Sequence, residues 1–186
     1  MASMSVEFDF RKELITIIPN LRAFATSLTG SFDRADDLVQ ETLVKAWDKQ
    51  HTFQPGTNLK AWLFTILRNE FYTQMRKKGR EVQDVDGIHA MQLAGHPEQQ
   101  GHLDLQDFRK ALDLLPDDQR EALVLIGASG FSYEEAADIC KCAVGTIKSR
   151  VSRARTRIAE ILGVEGDGDY GPDSISSQII GVAPAA

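Results

Sequence analysis

This 186-residue sequence predicts an all-α fold, two small helical units joined by a flexible linker. Three observations carry that prediction. Apolar residues recur every three or four positions through most of the chain, which is the spacing of one buried helix face. The front half shows no alternating strand–helix pattern. Between 81 and 103 the periodicity fades into Gly87, Gly95, Pro97 and Gly101 interspersed with Gln, Glu and Asp, the composition of a linker. The expected boundaries are therefore a first unit at 8–80, a linker at 81–103, a second unit at 104–163 and an acidic tail, disordered alone, at 164–186.

In the first unit Leu14, Ile18, Leu21, Phe24 and Leu28 mark an amphipathic helix that Pro19 is placed to break or restart, and Gly30 ends it. Asp33 is placed to cap the next helix, whose apolar face is Ala35, Leu38, Val39, Thr42, Ala46 and Trp47. Asp37, Gln40, Glu41 and Val44 fall on its exposed side, and periodicity alone favours a plain solvated face there. Pro55 and Gly56 make 51–58 a loop. A long helix follows over 59–78, with Phe64, Leu67, Phe71 and Met75 as its core stripe. Trp62, Asn69 and Tyr72 fall off that stripe beside the basic end Arg76, Lys77, Lys78 and Arg80. Aromatics next to cations suit unstacked bases; equally, they border a core while the basic run favours the helix C-terminus.

The second unit opens with Leu105, Phe108, Leu112 and Leu115 on a helix that Pro116 stops, and another helix runs from Asp117 to the breaker at 127–130. Both are expected to pack under the stretch that follows. Ser132 and Glu135 form a capping box, so a helix starts at Tyr133. After a short turn the apolar series resumes at Val144, Ile147, Val151, Ala154 and Ile158. Thr146, Ser149, Arg150 and Arg153 make an outward stripe on that last helix, suited to a major groove, with Lys148, Arg155 and Arg157 flanking it towards phosphates. The pattern is a helix-turn-helix. Lys141 fits its turn poorly, since glycine accepts a left-handed conformation more cheaply.

Composition narrows the chemistry. A formal net charge of −6 opposes unaided approach to phosphate, so the basic residues are locally concentrated or a partner delivers the chain to DNA. No run of eighteen apolar residues exists and the start, MASMSVEFDFRKEL, lacks a secretory core; a cytoplasmic protein without membrane insertion is expected. Cys140 and Cys142 are too close for an ordinary disulfide and lack metal spacing, and His89, His96 and His102 fit no metal template. No metal or cofactor is expected. With no phosphate-cradling loop, nucleophile elbow or paired carboxylates, a catalytic role has little to stand on.

Two blocks, DLVQETLVKAW with FQPGTNLKAWLFTILRN, and LPDDQREALVL with SYEEAADICKCAVGTIKSRVSRAR, resemble the extracytoplasmic-function sigma factors of bacterial RNA polymerase, the group keeping only the second and fourth sigma domains. The likeness covers roughly 10–162, and the second block is most similar to the general-stress-response branch. The resemblance implies that the units are sigma-2-like and sigma-4-like. It implies that Asp37, Gln40 and Glu41 dock on the polymerase's largest subunit. The loop Phe53 to Asn58, with Trp62 and Asn69, would capture a flipped base of the −10 element, with Lys45 lining the same pocket and Tyr72 and Arg76 as further −10 contacts. Arg150 and Arg153 would read the −35 element, while Lys148 and Arg155 hold phosphates.

The implied partners are core RNA polymerase, promoter DNA and an anti-sigma factor. Lys141 and Ala143 depart from the family's frequent Gly and Pro in the turn. Three rivals stay open: an autonomous dimeric helix-turn-helix regulator, a sigma-like decoy for an anti-sigma factor, and a thiol switch at Cys140 and Cys142.

Overall fold

The computed structural model describes residues 9–82 and 100–163, with side chains over 9–78 and 106–163. Among the described residues there are seven α-helices, one 3₁₀ turn and no strand. Most of the expected linker and the whole tail lie outside the described residues.

α1 spans Phe10–Thr29, capped by Asp9, whose carboxylate accepts from the amides of Arg11 and Lys12 at 3.1 and 3.2 Å. Pro19 neither breaks nor restarts it: the proline sits exposed inside one continuous helix. The helix turns Ile17 to the core where the spacing pointed to Ile18, and Gly30 ends it in the left-handed conformation at φ 67°. α2 spans Phe32–Asp48. Its N-cap is Ser31 rather than Asp33, and Trp47, expected on the buried face, is 50% exposed. The buried stripe of α2 is filled by Ala35, Leu38, Val39, Thr42 and Ala46, and the Trp47 indole lies outside it.

A 3₁₀ turn at Gln50–Thr52 leads through the loop into α3, Leu59–Val82. Leu63, Phe64 and Leu67 are fully buried on it, while Met75 is 42% exposed because the helix has by then run past the body it packs on. The antiparallel helices α1 and α2 clasp the first half of α3, and Phe24 stacks on Phe64 with ring centroids 4.9 Å apart.

α4 spans Gln100–Asp113 and α5 Asp117–Gly127. α6, Tyr133–Cys140, begins at the predicted capping box: Ser132 Oγ accepts from Glu135 N at 3.1 Å and Glu135 Oε2 accepts from Ser132 N at 2.9 Å. α7, Val144–Leu162, carries Ile147, Val151, Ala154 and Ile158 inward, as the spacing predicts. Lys141, at φ 53°, is the single non-glycine with positive φ among the described residues. A lysine therefore holds the left-handed cap a glycine would adopt without strain, a cost of order 1 kcal/mol that the closed turn around it sustains.

The two units are packed together. One buried cluster runs from Leu14 and Phe24 through Phe64 to Phe131, Ala136, Ile147 and Val151, and a smaller one joins Ala111 and Leu115 to Ala154 and Ile158. α1 meets α5, and α3 meets α6.

Candidate functional site

Three surfaces carry the residues singled out by sequence. The first is the outer face of α2. Asp37, Gln40 and Glu41 are exposed there, together with the apolar Val44 and Trp47 at 62% and 50% exposure. Val44 and Trp47, three positions apart on the helix, form a small apolar patch beside these acids. Glu41 also accepts from Gln74 Nε2 at 2.8 Å, and Lys45 is ion-paired to Glu70, so two polar rungs tie α2 to α3. Burial opposes the charged form of Glu70, yet the Lys45 ammonium and the neighbouring hydrogen bonds hold its carboxyl below the ordinary range.

The second surface is the start of α3 and the loop before it. Phe53 is buried, its ring against Phe10 and Trp62 at centroid separations of 6.2 and 5.5 Å. The loop residues Gln54, Pro55, Gly56, Thr57 and Asn58 are exposed, Trp62 is half-buried, and Asn69 and Arg76 face solvent. Phe53 thus forms the floor of the loop and Trp62 its wall. Arg76 folds back on its own helix, donating from Nε to Tyr72 O at 3.2 Å.

The third surface is α7. Lys148, Ser149 and Arg153 are exposed, Thr146 and Arg155 half-buried. Arg153 lies along the helix, its Nε donating to Ser149 O at 3.2 Å and its Nη2 to Ser149 Oγ at 3.4 Å. Arg150 lies elsewhere: its Nε is 3.0 Å from Asp118 of α5 and its Nη1 3.9 Å from Cys142 Sγ. It is therefore turned off the outward stripe, against the body. Ser152, which the stripe omitted, is exposed between Ser149 and Thr156 at helical spacing.

Sequence reasoning missed the seam where the second unit meets α3. Glu121 of α5 is wholly buried, and its carboxylate accepts from Arg68 Nε at 2.8 Å, Arg68 Nη2 at 3.3 Å and Tyr72 Oη at 3.3 Å. Burial raises the Glu121 pKa despite the adjacent guanidinium; Arg68, also penalised by burial, is nonetheless kept charged by that carboxylate. Burial, with the Glu121 charge, raises Tyr72 as well. Asn58 Nδ2 donates to Glu135 Oε1 at 2.6 Å, and Lys60 Nζ to Ser129 O at 2.5 Å while lying 5.0 Å from the Phe131 ring centre. Glu135 is held below the ordinary range, first by the Ser132 amide.

Cys140 is buried, and burial beside Glu121 pushes its thiol up to about 12, which suits an inert packing group. No group of three metal-ligating side chains occurs among the described residues, and no helix among them is long and apolar enough to cross a membrane.

Comparison with known proteins agrees with this layout. Residues 16–81 match the family Sigma-70 region 2 and residues 105–158 match Sigma-70, region 4. The ECF RNA polymerase sigma factor EcfG of Rhodopseudomonas palustris is 57% identical over 178 residues, covering 96% of this chain and 98% of that one. SigE of Mycolicibacterium smegmatis is 34% identical over 145 residues, 74% of this chain and 55% of that protein. Among solved structures, the sigma factor RpoE of Bartonella quintana, in complex with the anti-sigma factor NepR, superposes with a TM-score of 0.78 at 66% identity, covering 85% of this chain and 99% of that one. CnrH, solved with the cytosolic domain of CnrY, shares the fold at a TM-score of 0.58 and 24% identity over 84% of this chain and 91% of that one.

Proposed function

The chain belongs to the extracytoplasmic-function sigma factors of bacterial RNA polymerase, and from that premise we propose how its surfaces divide the work of promoter-directed initiation. α2 docks core polymerase through Asp37, Gln40 and Glu41, with Val44 and Trp47 as the apolar part of the contact. The pairing of exposed acids with exposed apolar side chains supports this, because a protein partner desolvates both at once. This is the observation that carries the assignment of the face.

α7 enters the major groove of the −35 duplex. Arg153 and Ser149 lie on its exposed side and are placed for base edges, while Lys148 and Arg155 take phosphates. Arg150, held by Asp118 and Cys142, reads the duplex only after leaving that pair. At the −10 element the loop 54–58 and Trp62 accept a base already out of the stack, with Lys45, Asn69, Tyr72 and Arg76 alongside. Each captured base offsets part of an unstacking cost of a few kcal/mol, so melting follows from tighter binding to the single strand. No bond is made or broken by this chain.

The net charge of −6 fits this division, since core polymerase supplies the general affinity for DNA and the free chain binds it weakly. A small anti-sigma factor is the expected inhibitor, as the relative solved with NepR supports, and stress-response genes are the expected targets, from the resemblance of the second sequence block to the general-stress-response branch. The protein acts in the cytoplasm, where polymerase is.

The test is transcription in vitro with core polymerase and a genomic promoter pool, comparing the intact chain with Asp37→Ala/Glu41→Ala. Specific initiation weakened by the double variant supports the docking face. Unchanged initiation removes that face, and no initiation with tight DNA binding by the chain alone favours an autonomous regulator.

A further inference from the structure

Arg68, Tyr72 and Arg76 follow one another at four-residue spacing on α3, so they form a single row with an aromatic ring between two cations. Arg68 stacks its guanidinium 4.7 Å from the centre of the Tyr72 ring. Such a row is the pattern that holds single-stranded nucleic acid, with the ring taking a base and the cations taking the backbone. Yet here the row is engaged from within. The Glu121 carboxylate presents two oxygens to the fork of Arg68 and to the Tyr72 hydroxyl, the geometry in which a phosphate presents its own.

The choice of groups is informative. The hold of the seam is apolar, through Phe64, Phe131 and Ile139, and a charge pair buried beside them adds little net stability compared with apolar side chains of similar size. Polar pairs can separate, because water or another anion satisfies each partner. We propose that Arg68 is a phosphate ligand for the non-template strand, and that Glu121 stands in for a strand phosphate until the second unit leaves α3.

The proposal rests on the sigma-factor assignment and adds a strand-binding residue and its internal competitor. Masking lowers the apparent affinity of the free chain by the fraction of molecules that are open. Removing the competitor's charge therefore unmasks the strand site, and only if Arg68 is present.

The experiment uses the full chain, fluorescein-labelled oligo(dT) long enough to fill a typical site of about 4–16 nucleotides, and core polymerase on a promoter pool. Glu121→Gln is expected to bind the oligonucleotide about tenfold more tightly than wild type, the size of effect expected when roughly a tenth of molecules are open. Arg68→Gln/Glu121→Gln, which keeps a neutral hydrogen-bonding pair, is expected to lose that gain. Its slope of log affinity against log salt should fall by about 0.7 relative to Glu121→Gln, one phosphate contact on a single strand.

With core polymerase the double variant is expected to initiate poorly while Glu121→Gln initiates at least as well as wild type, and thermal melting monitors the fold of each. Equal strand binding by the two variants, or wild-type initiation by the double variant, overturns the role of Arg68. Because the double variant is read in the polymerase complex, that arm decides even if Glu121→Gln alone is unstable. Failure of the wild-type chain to initiate at all would instead sink the sigma-factor assignment.

Discussion

The two helices proposed to face DNA differ in what surrounds them. α7 offers Lys148, Ser149, Ser152 and Arg153 to solvent, and the Arg153 guanidinium donates to Ser149 of its own helix. α3 presents its aromatic and cationic row to another part of the chain, where Asn58, Lys60, Arg68 and Tyr72 each find a partner on α5, α6 or the segment between them. The difference follows from what each helix reads. Duplex DNA is always present, and a rigid exposed helix suffices to sample it. The promoter's own unpaired strand exists only once the promoter opens, and an uncovered strand-binding row would bind other single strands without sequence preference.

The largest effect tests whether the two helices belong to one folded body. Phe64 is wholly buried between Phe24 and Phe131, each ring centre 4.9 Å away, so it serves both units. Phe64→Ala is expected to cost about 3–5 kcal/mol and to lower one shared unfolding transition in chemical denaturation. Two separate transitions, with the second unit's unmoved, would show that the units fold independently and that the masking is loose.

A smaller effect sharpens the open side of the comparison. Arg153→Ala should remove about 1–3 kcal/mol of discrimination between the preferred −35 duplex and one changed at a single base pair, read as promoter occupancy by the polymerase complex. Lys148→Ala should instead weaken all duplexes alike and flatten the salt dependence.

Acidity separates Glu121 from the other shifted carboxylates. Glu121 has a folded value above the unfolded 4.5, so its contribution to stability is complete below 4.5 and is lost as pH rises through the folded value. Glu70 and Glu135 run the other way: their contribution is complete above 4.5 and is lost as pH falls through their depressed values. Denaturation midpoints followed against pH should therefore lose part of their dependence above 4.5 in Glu121→Gln, and part of their dependence below 4.5 in Glu70→Gln.

The smallest effect lies in the turn before α7. Lys141→Gly removes a left-handed lysine and is expected to raise stability by up to about 1 kcal/mol without changing −35 preference, measured by melting and promoter occupancy together.

Much of this layout was legible in the sequence. Helix faces repeat locally, so Phe24, Leu67, Ile147 and Val151 could be placed inward from spacing alone, and the Ser132–Glu135 box located α6 to the residue. Spacing says less about where a face stops being covered. Trp47 and Met75 continue their stripes but extend past the neighbouring helices, and Ile17 rather than Ile18 faces inward because α1 runs unbroken through Pro19. The seam was not legible. Glu121 lies in a run of charged residues at a helix start, and nothing in that run points to Arg68, 53 positions away. Arg150 likewise read as one of a stripe, because periodicity cannot show that Asp118 waits on the next helix.

The most direct test follows the distance between α3 and α6 in solution, with spin labels at the exposed Thr73 and Glu134. In the free chain one short, narrow distribution is expected. On the polymerase–promoter complex it should give way to a separation of tens of ångströms, since the two DNA elements lie about two helical turns apart at roughly 35 Å per turn. A short distance that persists in that complex would contradict a strand-reading helix unmasked by the departure of the second unit.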